Sequence, residues 1–269
     1  MRSHGLGRHL RSWRTALFAL GLVVILFTLN SPIDDWADQY LWVHMLQHEL
    51  LALVAAPLLL LGEPLMIMWR GIPLKGRRVA AGWLVRQGWP VRLFETLVNF
   101  FRRPAASWLT FVMLFSVWHL PALYDIATEN EVIHAFEHIC FIFGGLVFWS
   151  QFIPSLPFKP RIGPLAQAAY FFLAAMWGNV LGWAFMFSTT PSYPYYANLP
   201  RTSDMISAII DQHIAGAVMD VADTAIFISC IMTAIGLWLL EVERKSEREA
   251  DQLALALASE RTTQASPTA

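Results

Sequence analysis

The sequence predicts an all-α fold: a polytopic membrane bundle of six transmembrane helices, with an interfacial cytoplasmic helix in the loop at 74–103. Hydrophobic residues make up 56% of the chain and charged residues only 14%, whereas soluble domains carry about 25% charged residues. A helix needs about 20 consecutive apolar residues to cross a bilayer. Six segments meet this requirement: 14–30, 40–61, 105–124, 132–153, 165–187 and 212–240.

The first apolar segment follows four arginines, as the hydrophobic region of a signal peptide does. However, no small-x-small cleavage site follows Leu29, and the next residues are Asn30, Ser31 and Pro32. We therefore interpret this segment as an uncleaved first transmembrane helix.

Charge asymmetry predicts the orientation of the chain. With six spans, eighteen of the nineteen Lys and Arg residues fall on one side of the membrane, and only Arg201 falls on the other. Basic residues mark the cytoplasmic side, so both termini are predicted to be cytoplasmic, in a bacterial cytoplasmic (inner) membrane. The predicted organisation is a cytoplasmic N-terminus at 1–13, one transmembrane domain at 14–240 and a polar cytoplasmic tail at 241–269.

The loop at 74–103 mixes aromatic and basic residues, among them Trp83, Trp89 and Phe94 with Arg86 and Arg92. This mixture suits a helix that lies in the membrane interface. Its internal charges argue against a seventh span, and no nucleic-acid-binding motif accompanies it.

Histidines form the main functional signal. Six of the eight lie in or beside the predicted spans, and the topology puts all of them near the extracytoplasmic surface: His44, His48, His119, His134, His138 and His213. Two pairs, His44/His48 and His134/His138, have i,i+4 spacing, so each pair shares one helix face. Ionisable side chains in a membrane are usually functional, and neutral imidazole is a common ligand of copper, zinc and iron. The pattern predicts a transition-metal site.

Each ligating ring also needs a partner for its second nitrogen. Carboxylates in or near the outer halves of the helices are candidates for this role: Glu49, Glu137, Asp211, Asp220 and Asp223. Met45 and Met219 are possible thioether ligands. Because imidazole must be neutral to bind a metal, affinity is expected to fall below about pH 6.

Several alternatives stay open at this point. His119 or His213 alone would also serve as a hydrogen-bonding group between helices, and buried methionines often only fill space. Asp220 and Asp223 would suit either a proton path or a helix–helix hydrogen bond. Cys140 and Cys230 are far apart and form no CxxC motif, so neither a disulfide framework nor a thiolate zinc site is predicted.

Four blocks follow one another between about residues 40 and 220: HMLQH with the AAPL and LGEPL stretches after it, WHLPALYD at 118–125, HAFEH with Gly144, Gly145 and Phe148-Trp149, and DQHIAG at 211–216. Together they resemble the caa3-type cytochrome c oxidase assembly factor family (CtaG type). His44, His48, His119, His134 and His138 match the motif blocks, while His213 falls at a variable position. The stretch from Met219 to Asp223 departs from the Trp and Pro-Gly-like turn usual there.

The resemblance implies a non-enzymatic assembly factor that binds copper and delivers it to the copper centre of a haem-copper oxidase. The implied partners are the oxidase catalytic subunit, a periplasmic copper donor and the lipid bilayer, with no nucleic acid. Two other functions remain compatible with the residues. One is a b-type haem electron carrier with two histidine ligands. The other is a metal or proton transporter, which the apolar cytoplasmic halves of the second and fourth spans disfavour.

Overall fold

The computed structural model describes residues 6–85, 88–156, 158–201 and 206–264. Within these ranges the chain is almost entirely helical, and its β-type pairing is one isolated bridge between Ser155 and Phe158. The predicted all-α fold is confirmed.

Thirteen α-helices and one π-helical segment form in the described residues. In chain order they are α1 (Leu6–Asn30), α2 (Pro32–Ala37), α3 (Leu41–Glu49), the π segment (Leu50–Ala55), α4 (Ala56–Leu61), α5 (Pro64–Gly71), α6 (Leu74–Val85), α7 (Trp89–Phe101), α8 (Pro104–Trp118), α9 (Pro121–Glu129), α10 (Glu131–Trp149), α11 (Pro164–Met186), α12 (Pro194–Asn198) and α13 (Ala208–Gln264).

Five of these helical stretches are long and apolar enough to cross a membrane, and there are six if a broken helix is included. The five are Trp13–Asn30, Leu41–Leu61, Glu131–Trp149, Pro164–Met186 and Ala208–Ala258. The chain is therefore a multi-pass membrane protein, as predicted.

The third predicted span requires a correction. The sequence predicted one helix over 105–124, but α8 ends at Trp118 and α9 begins at Pro121, bent by 72° from it. Proline lacks an amide hydrogen and disfavours helical geometry in the preceding residue, so the helix breaks at His119 and Leu120. The break leaves His119 at the end of α8.

Helix α13 extends beyond the predicted sixth span, because it has 57 residues and continues to Gln264. At 1.5 Å per residue this helix is roughly 85 Å long. The predicted termini at 1–13 and 241–269 lie partly outside the described residues, which omit 1–5 and 265–269.

The predicted interfacial segment at 74–103 is helical, but it forms two helices, α6 and α7. Residues 86–87, including Arg86, lie outside the described residues. On α7, Leu93, Phe94, Leu97 and Phe100 are exposed, whereas Val91 is buried. An exposed apolar face of this kind fits a helix that contacts lipid.

Glycines set the close contact between α11 and α13. A Cβ atom on Gly216 would lie 2.5 Å from the carbonyl oxygen of Gly182, and one on Gly182 would lie 3.0 Å from that of Gly216. Small residues let membrane helices approach closely and pack by van der Waals contact. The crossing brings the N-terminal end of α13 against α3, which carries the first histidine pair.

The π segment shapes the helix that carries this pair. Leu50–Ala55 is π-helical, and the Trp149 indole donates a hydrogen bond to the Ala52 carbonyl at 3.0 Å. A Cβ on Gly145 would lie 2.7 Å from the same carbonyl oxygen. Gly145 therefore lets α10 pack directly on the π segment, which fixes the two histidine-bearing helices relative to each other.

Candidate metal centre

Four histidines from two helices converge in the bundle. The ring centroids of His44 and His48 on α3 are 4.5 Å apart, and those of His134 and His138 on α10 are 4.3 Å apart. Across the helices, His44 lies 4.9 Å from His134 and 6.2 Å from His138, and His48 lies 5.6 Å from His138. Each i,i+4 pair shares a helix face, and the two faces meet.

Glu137 joins this cluster. Its Oε1 lies 3.5 Å from His48 Nε2, and its Oε2 lies 3.9 Å from His44 Nε2. Two groups of side chains have donor atoms that all lie within 4.8 Å of one another: His44 with His134 and His138, and His44 with His48 and Glu137. We call these the outer donor set and the inner donor set. His44 belongs to both.

Most donor atoms in the cluster have no hydrogen-bond partner among the described residues, although they are buried. These atoms are Nε2 of His44, His134 and His138, both ring nitrogens of His48 and both carboxylate oxygens of Glu137. A buried polar group without a partner costs free energy. Small groups of such atoms lying within 4.8 Å of one another, as in the two donor sets, are the arrangement expected of a cation site.

Tyr196 fixes the tautomer of His44. The Tyr196 hydroxyl donates to the Ala37 carbonyl at 2.5 Å, and its oxygen lies 3.0 Å from His44 Nδ1. Burial raises the pKa of the Tyr196 phenol well above its usual value, so the hydroxyl keeps its proton. Because that one proton goes to Ala37, His44 Nδ1 must donate to Tyr196. The lone pair of Nε2 is then free and faces Glu137, which is the state that metal binding requires.

The tautomer of His119 is fixed in the same way. Its Nδ1 lies 2.7 Å from the Phe115 carbonyl, which can only accept, so Nδ1 carries the proton. Its Nε2 lies 3.2 Å from Met45 Sδ, and its ring centroid lies 5.9 Å from that of His48. His119 and Met45 therefore form a nitrogen–sulfur pair beside the cluster.

Aromatic side chains enclose the cluster. The His48 ring stacks on Phe141 at 4.1 Å, and Tyr124 lies 5.0 Å from His44. Tyr193 stacks on Tyr124 at 3.9 Å and donates to the His119 carbonyl at 3.0 Å. The predictions from sequence did not include Tyr196 or Tyr193, because their role depends on how the loop before α13 folds back over the bundle.

Asp211 does not contact a histidine, contrary to the prediction. Its carboxylate accepts the backbone amides of Leu41 and Trp42, each at 3.1 Å, and it pairs with Arg201 at 3.0 Å. The first amides of a helix have no partner within the helix. Asp211 therefore caps α3 from a different helix, and positions His44 and His48 through the backbone.

Glu49, Asp220 and Asp223 also lie away from the imidazoles. Glu49 follows His48 by one residue and points about 100° around the helix from it; it faces Asp223, with which it interacts electrostatically. The Asp223 carboxylate packs on Gly178, where a Cβ would overlap it. Asp220 accepts from the Asn179 amide at 3.3 Å when that amide is oriented to satisfy its neighbours. Of the five predicted anchoring carboxylates, only Glu137 contacts the histidines.

The remaining predicted residues are His213 and Met219. His213 Nε2 lies 2.9 Å from the Ser188 carbonyl, and no ring contact joins it to another histidine in the described part of the chain. Met219 is buried in the hydrophobic core. The structure thus brings five of the six predicted histidines together and leaves His213 apart.

A cavity of about 710 Å³ opens beside the outer donor set. His134 and His138 line it, together with four carboxylates: Asp34, Asp38, Glu129 and Glu131. We call this cavity the acidic vestibule.

The fold and the site together define a polytopic helical membrane protein with a buried histidine-carboxylate cluster capable of holding a metal ion. Comparison with known protein families identifies the family to which the chain belongs. The profile of the cytochrome c oxidase caa3 assembly factor family, Caa3_CtaG, matches residues 1–241, and the chain belongs to this family.

Curated relatives come from mycobacteria. An uncharacterized protein of Mycobacterium leprae (strain TN) is 26% identical over 240 residues, which is 88% of this chain and 36% of the relative. An uncharacterized protein of Mycobacterium bovis (strain ATCC BAA-935 / AF2122/97) is 26% identical over 259 residues, which is 91% of this chain and 37% of the relative. The chain thus spans a little over a third of the length of these relatives. No solved structure matches the chain.

Proposed function

We propose that this protein binds copper through its histidine-carboxylate cluster and delivers the ion to the copper centre of a haem-copper oxidase during assembly. Membership of the oxidase assembly factor family supports the oxidase as the target. The observation that carries the copper assignment is the donor chemistry. Four imidazoles and Glu137 form two three-residue donor sets that share His44, and the thioether of Met45 lies beside His119.

This donor set suits copper. Imidazole nitrogen binds both copper and zinc, whereas thioether sulfur favours Cu(I). His44 and His119 each donate one ring N–H to a fixed acceptor, which leaves the other nitrogen available as a ligand. In this proposal copper is cargo, and the protein supplies a site that is shaped before the ion arrives.

The cluster favours a compact ion over a haem. A porphyrin held by two histidines needs a slot between their rings. Here the rings of His44, His48, His134 and His138 contact one another, with centroids 4.3 to 6.2 Å apart. We therefore expect purified protein to show no Soret band, and an absorption maximum of this kind would support the haem alternative instead.

The test is copper content. Protein purified in detergent is loaded with copper, desalted and analysed for the metal beside His44→Ala, His138→Ala and His213→Ala variants. We expect His44→Ala to lose the most copper, because His44 belongs to both donor sets, and His138→Ala to lose part of it. His213→Ala serves as the matched control and should retain the wild-type content. Equal copper in all four proteins would refute the assignment.

Delivery is tested separately. The oxidase is produced in cells that carry either the wild-type protein or the His44→Ala variant, and the copper content of the purified oxidase is measured. We expect copper-deficient oxidase with the variant, at equal amounts of variant and wild-type protein in the membrane. Fully loaded oxidase in both strains would show that copper binding by His44 is not needed for oxidase assembly, and would refute the delivery role.

A further inference from the structure

The charged side chains that line the acidic vestibule are all negative among the described residues. Four carboxylates line it, from the α2 helix and its C-terminal cap, the end of α9 and the start of α10, and its described lining contains no lysine or arginine. Carboxylates in a concave, partly enclosed space concentrate the negative potential there and raise the local concentration of cations. Charge alone does not make this cavity a site, and the inference depends on what forms its inner wall.

His138 forms part of that wall. Its side chain is about 95% buried, and its Nε2 has no hydrogen-bond partner in the described residues, yet the residue lines the vestibule. His134 lines the vestibule as well and interacts electrostatically with Asp34 and Asp38. A buried ring nitrogen that needs a partner thus borders a cavity that attracts cations.

The two donor sets differ in their access to this cavity. The outer set includes His134 and His138, which line the vestibule, whereas His48 and Glu137 of the inner set do not. His44 belongs to both sets. An ion held by the outer set can therefore move inward by exchanging His134 and His138 for His48 and Glu137 while it keeps His44 as a ligand.

We propose that the acidic vestibule is the loading site for a hydrated transition-metal cation, which passes through the outer donor set to the inner one. Asp34, Asp38, Glu129 and Glu131 attract the hydrated ion, and His134 and His138 replace its water. The transfer involves ligand exchange alone, with no change in oxidation state. This inference rests on the proposed function, because it assumes that the histidine cluster binds copper.

The experiment measures the rate of loading. Full-length protein in detergent is mixed with aqueous Cu²⁺ at low ionic strength in a stopped-flow instrument, and quenching of tryptophan fluorescence reports binding. The test variant combines Asp34→Asn, Asp38→Asn, Glu129→Gln and Glu131→Gln, which preserve side-chain size and remove charge. We expect its association rate to be about tenfold or more below that of the wild type. The wild-type rate should also fall steeply with added salt, and the variant rate should not.

Asp35→Asn is the matched control, because Asp35 lies on the same helix as Asp34 but does not line the cavity. It should load at close to the wild-type rate. A second arm supplies copper as an anionic chelate. Loss of negative charge should leave loading from the chelate unchanged or make it faster, whereas a folding defect would slow both reactions.

The outcomes separate the inference from the proposed function. Slower Cu²⁺ loading without slower chelate loading supports the vestibule as the loading site. Equal Cu²⁺ rates in wild type and variant overturn the inference and leave copper binding intact. Equal slowing of both reactions also overturns it, because the effect then does not depend on the charge of the ion. If the wild-type protein takes up no copper, the proposed function fails, and the inference fails with it.

Discussion

His48 Nε2 lies 3.5 Å from Glu137 Oε1, and neither atom has a hydrogen-bond partner among the described residues. Glu137 is completely buried and its other oxygen lies near His44. A carboxylate in this position adds negative charge to a group of neutral donors. It can therefore stabilise a bound cation directly as a ligand.

The first prediction concerns this carboxylate. Glu137→Gln keeps the size of the side chain and removes its charge, so copper affinity should fall by roughly 10- to 100-fold, the range typical when a group that supports a metal site is lost. Competition with a chelator of known affinity measures the change. Glu49→Gln is the control, because Glu49 is also buried but belongs to neither donor set. Equal losses in the two variants would show that buried charge in general, and not Glu137, supports the site.

The second prediction concerns the tautomer of His44. Tyr196→Phe removes the acceptor of the His44 Nδ1 proton while preserving the ring. The imidazole is then free to rotate or to change tautomer, so copper affinity should fall by roughly tenfold or more. Tyr195→Phe is the neighbouring control. An unchanged affinity in Tyr196→Phe would mean that packing alone holds His44 in place.

The third prediction concerns metal selectivity. Met45→Leu conserves volume and should change stability by less than about 1.5 kcal/mol, but it removes the sulfur that lies 3.2 Å from His119 Nε2. Cu(I) affinity should fall and Zn²⁺ affinity should stay the same, because thioether sulfur favours Cu(I). Met219→Leu is the matched control, since Met219 is also buried in the core. Parallel titrations with the two metals check this, and a parallel loss for both metals contradicts a ligand role for the sulfur.

The fourth prediction concerns the contact between α10 and the π segment. Gly145→Ala puts a methyl group 2.7 Å from the Ala52 carbonyl oxygen, whereas the atom nearest to the new methyl group in Gly144→Ala belongs to the Leu114 side chain, at 3.4 Å. Overpacking of this kind costs about 1–3 kcal/mol. Gly145→Ala should therefore lower the thermal unfolding temperature and weaken copper binding, because it separates the helices that carry the histidine pairs. Gly144→Ala should change both quantities much less, and similar effects in the two variants would contradict this view of the contact.

The fifth prediction concerns Asp211. Asp211→Ala removes the cap of α3 and the partner of Arg201. Loss of a helix cap costs about 1 kcal/mol, with a range of 0.5–2, and the unpaired guanidinium adds to this cost. Thermal unfolding in detergent should show the destabilisation, while copper stoichiometry stays at the wild-type value. A loss of copper without a loss of stability would instead mean that Asp211 supports the metal site, as the sequence predicted.

The sequence predicted the helices and the histidine pairs because both depend on local spacing. Runs of about 20 apolar residues define the spans, and i,i+4 spacing is enough to put His44 and His48, or His134 and His138, on one face. Counting the spans then predicted that both pairs lie at the same depth in the membrane. That α3 and α10 turn these faces toward each other depends on packing at Gly145, which no local pattern reveals.

The carboxylates were harder to predict because their partners are distant in sequence. Asp211 caps a helix that begins 170 residues earlier, and Glu49 turns toward α13 and not toward the imidazoles. The end of α8 was a different error, since Pro121 was visible in the sequence and a helix usually ends at or before the residue that precedes a proline. Tyr196 could not be inferred, because the five-residue helix α12 is too short for a periodic pattern to show where the side chain packs.

The π segment after Glu49 has a consequence for how this span tolerates change. A π turn holds one residue more than an α turn, and it shifts the two halves of the span relative to each other by about 100°. The N-terminal half of the span, α3, meets α13, while the C-terminal half, α4, meets α1 and α10. Deleting one residue within 50–55 would restore a regular helix and rotate one half of the span relative to the other. Either the imidazoles would then turn away from the cluster, or α4 would lose its packing contact with α1. The length of this segment, more than the identity of its apolar side chains, is therefore the property that natural variation must preserve.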